Sequence, residues 1–285
     1  MSPGATTNGE ASVSDGSSAV KKAYPDVGIV ETPKVSDPWT VEKVLDTIRT
    51  GKPAEGSSSP VPYFHMLERL KTTKREGWRR FDIHRGESIA DHMYRMSLMS
   101  MLAPPSLAAR LDLHKCMKMC LIHDMAESLV GDITPVDGVT KPEKSRREAT
   151  TMDYITKSLL GNVYGGESTA GEDIRAIWQE YEDSETLESI YVHDIDKVEL
   201  LLQMVEYERR GREQGRDGDN KLDLGEFAYV ATKIVLPETK EWAAKLLEER
   251  EGLWERQQHV HGEEGIKGGV RTETAQAQDT YYSKK

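Results

Sequence analysis

The chain has 285 residues, 49 acidic against 38 basic, for a formal net charge of −11. That balance argues against a nucleic-acid polymer as partner, because phosphate backbones select basic surfaces. No run approaches the roughly 18–20 continuous apolar residues of a membrane helix, and two cysteines are too few for a disulfide scaffold.

Residues 1–36 are rich in Ser, Gly, Thr, Ala and Pro and poor in large apolar side chains. Such a segment cannot offset its ordering entropy and is read as a disordered tail. Residues 258–285 lack any period and read as a flexible C-terminal tail, leaving 37–257 as one domain. The first residues show neither a basic start nor an apolar run, so an intracellular protein, cytoplasmic or nuclear, is expected.

Within the domain the apolar spacing is helical almost throughout. Helices are predicted over 39–50 and 61–73, separated by a loop at 51–60. Ser88, with Asp91 three residues on, opens a helix that Pro104 closes. The next is predicted to run unbroken from an N-cap at Asp112 to a stop at Gly131. Cys116 and Cys120, four apart, share one face of it and read as buried thiols in a reducing compartment. Further helices are expected over 141–161, 172–183, 184–210, 224–235 and 238–257. No alternating β-branched runs with hairpin turns occur, so the fold class is all-α, a single helical bundle. The segment at 217–227 resembles a calcium loop but puts Lys221 where an oxygen ligand belongs, and is read as an ordinary polar loop.

Polar residues able to bind metal interrupt apolar helices at three places: His92, the pair His123-Asp124, and Asp196 with His193 and Asp194 before it. A buried imidazole or carboxylate is costly unless paired or metal-bound, so three interruptions ask for a common cause. Glu127 lies four residues after His123 and three after Asp124, which would aim all three at one sector of a helix. Gly131 then ends the helix and turns Asp132 back toward the same end.

With the segments ESIADHMYRM at 87–96, HDMAESLVGDITP at 123–135 and DIDKVEL at 194–200, the chain resembles the HD-domain metal-dependent phosphohydrolases. Within them it is similar to the 5′-deoxynucleotidases of the YfbR and HDDC2-like type, over roughly residues 61–256. The resemblance implies that His92, His123, Asp124 and Asp196 hold one divalent cation. Two imidazoles and two carboxylates suit Mn²⁺, Co²⁺, Fe²⁺ or Zn²⁺. It implies catalytic roles for Glu127 and Asp132, and places His193 and Asp194 outside the ligand set. Glu127, Asp132 and the carbonyl of Ile133 could also hold a second cation such as Mg²⁺. Bacterial relatives carry an Arg directly before a Trp; here Glu76 and Gly77 intervene, and Arg75 is taken as the phosphate contact. Trp78 is taken as a sugar or base contact filling space beside C2′, and Asp132 as acceptor for a sugar hydroxyl. The implied activity is hydrolysis of deoxyribonucleoside 5′-monophosphates, and the implied assembly a homodimer. The alternatives are another HD nucleotide phosphohydrolase, such as a phosphodiesterase or pyrophosphohydrolase, or a non-catalytic nucleotide-binding scaffold. Guanosine tetraphosphate hydrolases usually carry Glu-Asp where this chain has Glu127-Ser128.

Overall fold

The computed structural model describes residues 35–216 and 221–255. Most of both tails assigned from the sequence lies outside the described residues. Eleven α-helices are found among the described residues, and no strand; a lone antiparallel bridge joins Lys74 to Ser88. The helices are α1 (Val41–Leu45), α2 (Val61–Thr72), α3 (Glu76–Arg79), α4 (Ile89–Ser100), α5 (Pro105–Ala108) and α6 (Leu113–Ile122). They continue as α7 (Glu127–Val130), α8 (Lys141–Asp153), α9 (Ala170–Asp183), α10 (Leu187–Glu213) and α11 (Pro237–Glu255).

Local chemistry sets the helix starts. Ser88 accepts the Asp91 amide while the Asp91 carboxylate accepts the Ser88 amide, a complete capping box for α4. Thr186 and Ser189 do the same for α10, and the Asp112 side chain accepts the Lys115 amide to start α6.

Four predicted helices depart from regularity. The 39–50 helix is regular only over Val41–Leu45, then tightens into three-residue turns through Gly51. The run from Asp112 to Gly131 is not one helix. α6 ends at Ile122, and bonds such as Met125 N to Ile122 O and Glu127 N to Asp124 O wind the next residues more tightly before α7. The 224–235 segment forms a 3-10 turn over Gly225–Lys233. By contrast α8 widens into π-helical bonding over Tyr154–Leu159.

The core divides into three packed clusters. One joins α1, α2, α8 and α9 through Met66, Leu129, Met152, Ile155 and Trp178. A second joins α4, α6 and the first half of α10 through Met96, Met119, Cys120, Tyr191 and Ile195. The third sets the second half of α10 against α11 and the 3-10 turn through Leu201, Val205, Leu224 and Phe227. α10, at about 1.5 Å per residue some 40 Å long, runs through two of them. The candidate site lies where α4, the end of α6 and α10 meet.

Candidate active site

α4 contributes His92, which is fully buried. Its Nε2 is 3.2 Å from Asp196 Oδ1 on α10 and 3.8 Å from Asp124 Oδ2 just beyond α6. His123, at the C-terminal end of α6, brings its Nε2 to 3.2 Å from the same Asp124 oxygen. The ligand atoms of His92, His123 and Asp124 all lie within 4.8 Å of one another. The structure thus gathers all four residues expected to hold a cation, from three separated stretches of chain.

Both imidazoles are held at the far nitrogen. His92 Nδ1 is 2.6 Å from Glu199 Oε2, and His123 Nδ1 is 3.0 Å from the carbonyl of Cys120. An acceptor at Nδ1 places the proton there in the neutral ring and turns the Nε2 lone pair toward the carboxylates. Neither Nε2 atom has a hydrogen-bond partner although both are buried. Buried polar atoms are rarely left so, and two imidazole nitrogens facing two carboxylates form a donor set that fits a divalent cation of the Mn²⁺-to-Zn²⁺ range.

The electrostatics agree. Burial and the Arg75 charge work to lower the His92 pKa, but Glu199 and Asp196 outweigh them and hold it up at about 10. Burial alone would raise Asp124 and Asp196, yet the facing imidazoles and Arg75 keep both well below the usual carboxylate range.

Arg75 lies beside this cluster. Its NH1 is 3.3 Å from Asp124 Oδ2, and the acidic groups around it hold it charged despite its burial. Asp132 follows Gly131, whose φ of +78° turns the chain out of α7. Asp132 Oδ2 accepts the Glu76 amide at 2.7 Å, capping α3 and tying the Arg75 segment to the site. Glu127 is 2% exposed, with Oε2 unpartnered and Oε1 3.8 Å from Lys144 Nζ. Burial, then Asp124 and Asp132, push its carboxyl well above the usual range.

One expectation needs correction. Trp78 is 1% exposed and packs on Phe227 and Tyr207, with its indole N–H donated to Glu87 Oε1 at 2.8 Å. It is a core residue here and presents no face to a sugar; its link to the site runs through Glu87. The set assigned to a second cation is also engaged by protein groups. Lys144 Nζ donates to the Ile133 carbonyl at 3.3 Å and faces Glu127, while Asp132 holds the Glu76 amide. An ammonium thus sits beside the Ile133 carbonyl and Glu127 Oε1, while Glu127 Oε2 stays without a partner.

His193 and Asp194 are structural, as expected. His193 Nε2 meets Ser184 Oγ at 2.7 Å, and burial lowers its pKa to about 4. Asp194 accepts the amides of Val235 and Leu236 and the Thr239 hydroxyl, fastening the start of α11. Of the polar loop at 217–227, Asp223 pairs with Arg250 and caps the Gly225 amide. Sequence reasoning missed Glu199, Arg95 and Lys144. Glu199 and Arg95 are charges within apolar helical runs, the same signal that singled out His92, whereas Lys144 lies in the polar first half of α8.

The chain matches the HD domain family over residues 67–240. This places it in the HD-domain family, whose fold and His-Asp constellation it carries. Its relatives locate the branch. It is 42% identical to the 5′-deoxynucleotidase hdd1 of Schizosaccharomyces pombe, covering 70% of this chain and 95% of that protein. Over 68% of this chain and 88% of the other, it is 34% identical to human 5′-deoxynucleotidase HDDC2. A conserved hypothetical protein from Pyrococcus furiosus shares the fold with a TM-score of 0.51 at 22% identity, covering 67% of this chain and 99% of that one. The chain belongs to the 5′-deoxynucleotidase branch of the HD-domain proteins.

Proposed function

We infer that this chain is a metal-dependent 5′-deoxynucleotidase, a phosphoric monoester hydrolase that cleaves deoxyribonucleoside 5′-monophosphates to deoxyribonucleoside and phosphate. The observation that carries the cation dependence is the pair of buried, unpartnered imidazole nitrogens facing Asp124 and Asp196. The relatives' names carry the substrate class. A cation held by His92, His123, Asp124 and Asp196 would polarise a phosphate oxygen and acidify water.

The chain's own groups supply the rest. Arg75 leaves its Asp124 contact for the incoming phosphate, for which a guanidinium offers two parallel N–H donors. Glu127, whose buried Oε2 has no protein partner, accepts the proton of the attacking water when ionised. Water bonds to phosphorus as the P–O5′ bond breaks, and the proton that Glu127 takes from the water passes to the departing nucleoside O5′. Asp132 Oδ1 accepts from a sugar hydroxyl while Oδ2 keeps the Glu76 amide.

The test is phosphate release from dAMP and from AMP by metal-stripped protein with Co²⁺ or Mn²⁺ restored, and EDTA as control. Release should depend on the added ion, with kcat/KM for dAMP well above that for AMP. Equal efficiency on the two nucleotides would sink the deoxynucleotide assignment, and EDTA-resistant turnover the metal dependence.

We also propose a homodimer joined through the outer face of α4 and the turn that follows it, where Tyr94, Leu98, Met101 and Leu102 are exposed. Light scattering of the natural chain and of Leu102→Glu should read a dimer and a monomer.

Among the described residues no helix is long and apolar enough to cross a membrane.

A further inference from the structure

Glu199 lies one turn after Asp196 on α10 and is fully buried. Its Oε2 is 2.6 Å from His92 Nδ1. Its Oε1 accepts from Arg95 through Nε at 2.7 Å and through NH2. Arg95 NH2 also donates to Gln203 Oε1 at 2.6 Å, and Arg95 contacts Glu87 and Glu206 at 3.7 Å. α10 thus faces the His92 ring at both nitrogens, holding Nδ1 through Glu199 and setting Asp196 3.2 Å from the open Nε2. His123 has no such grip: its Nδ1 meets a backbone carbonyl within its own helix.

We propose that Glu199, backed by Arg95, is a positioning residue for the cation site, fixing the His92 ring so that Nε2 faces Asp124 and Asp196. The proposal rests on the cation site inferred above. A carboxylate that accepts Nδ1–H holds the imidazole in one tautomer, restrains its rotation and makes Nε2 the stronger donor. A lone buried carboxylate would be too costly for that task, and Arg95 offsets the cost with a two-pronged bond. The grip also joins α4 to α10, so helix packing and cation binding share one contact. Arg95 and Glu199 belong to the site although neither is expected to touch substrate.

The experiment titrates Co²⁺ into the metal-stripped full chain by calorimetry. It compares the natural protein with Glu199→Gln, Glu199→Met and, as a site control, Asp196→Ala. Glu199→Gln keeps shape and an acceptor oxygen and should weaken Co²⁺ binding about 10-fold; Glu199→Met removes the acceptor and should weaken it about 100-fold. In the Zn²⁺-loaded protein, ¹⁵N spectra should show His92 protonated at Nδ1, and Glu199→Met should lose that signature. Should the Met variant fail to fold, the Gln variant decides. A merely structural role lowers the melting temperature of the metal-free protein and leaves Co²⁺ affinity within twofold, and that result overturns the proposal. If the natural chain takes up no Co²⁺, or Asp196→Ala binds it equally well, the cation site fails and this proposal with it.

Discussion

Glu199 and Glu208 sit on the same helix, 0% and 1% exposed, yet their surroundings differ in kind. Glu208 accepts from Arg250 Nε and NH2, the Leu224 amide and the Trp254 indole, so both of its oxygens are fully used. Around Glu199 the polar network is full only on one side: past His92 it opens onto two imidazole nitrogens and a Glu127 oxygen with no partner. One end of α10 closes its buried charges into a joint between α10, α11 and the 3-10 turn. The other leaves donors pointing at one another across a gap. A buried charge marks function by what its network leaves unsatisfied, and burial alone does not tell the two apart.

That contrast can be broken by experiment. The largest effect should come from Asp196→Ala, which removes cation and turnover together while unfolding stays cooperative; stoichiometric metal with normal turnover would contradict it. Glu127→Gln keeps the shape of the side chain but cannot accept a proton, so turnover should fall roughly 10²- to 10⁴-fold. Bound metal, read by elemental analysis, should be retained. Glu208→Ala should do the opposite of Asp196→Ala, costing about 3–5 kcal/mol in urea unfolding because the buried Arg250 loses its two-pronged partner and keeps only Asp223. Co²⁺ affinity of its folded fraction should be preserved, and a variant of normal stability with weakened metal binding would erase the contrast.

The smallest effect is a pH dependence. Burial, then Glu182 and Asp124, raise the Glu148 carboxyl to about 7 against the opposing pull of Lys144. A raised carboxyl stabilises the fold fully below its unfolded value of about 4.5 and loses that contribution as pH rises through 7. Glu148→Gln mimics the protonated form. In EDTA its urea midpoint should gain on the natural chain at pH 8 relative to pH 5, and an unchanged difference would refute the shift.

The all-α fold and most helix starts were legible because they are local: Ser88 with Asp91, and Asp112 ahead of an apolar run, carry their instructions within four residues. The four residues gathered at the candidate site were legible because polar groups inside apolar periods are conspicuous, and the resemblance pointed to the same positions. Long-range partners were not. Glu199 finds Arg95 across 104 positions, and no spacing rule spans that interval. The burial of Trp78 depends on Phe227 and Tyr207 arriving from distant helices. The break after Ile122 escaped because the tighter turns preserve the apolar pattern while changing the hydrogen bonding that carries it.

Cys116 and Cys120 lie fully inside the cluster that joins α4, α6 and α10, and burial pushes both thiols up to about 12. Native protein accordingly presents almost no thiolate to an alkylating reagent or to a soft ion such as Cu⁺ or Cd²⁺. Cobalt or manganese can be loaded without sulfur competing for it. The same two residues become labelled only when that cluster opens. Slow alkylation followed by mass spectrometry therefore clocks the opening of the helices that carry His92, His123 and Asp196, and added Co²⁺ should slow the clock by as much as it holds those helices together.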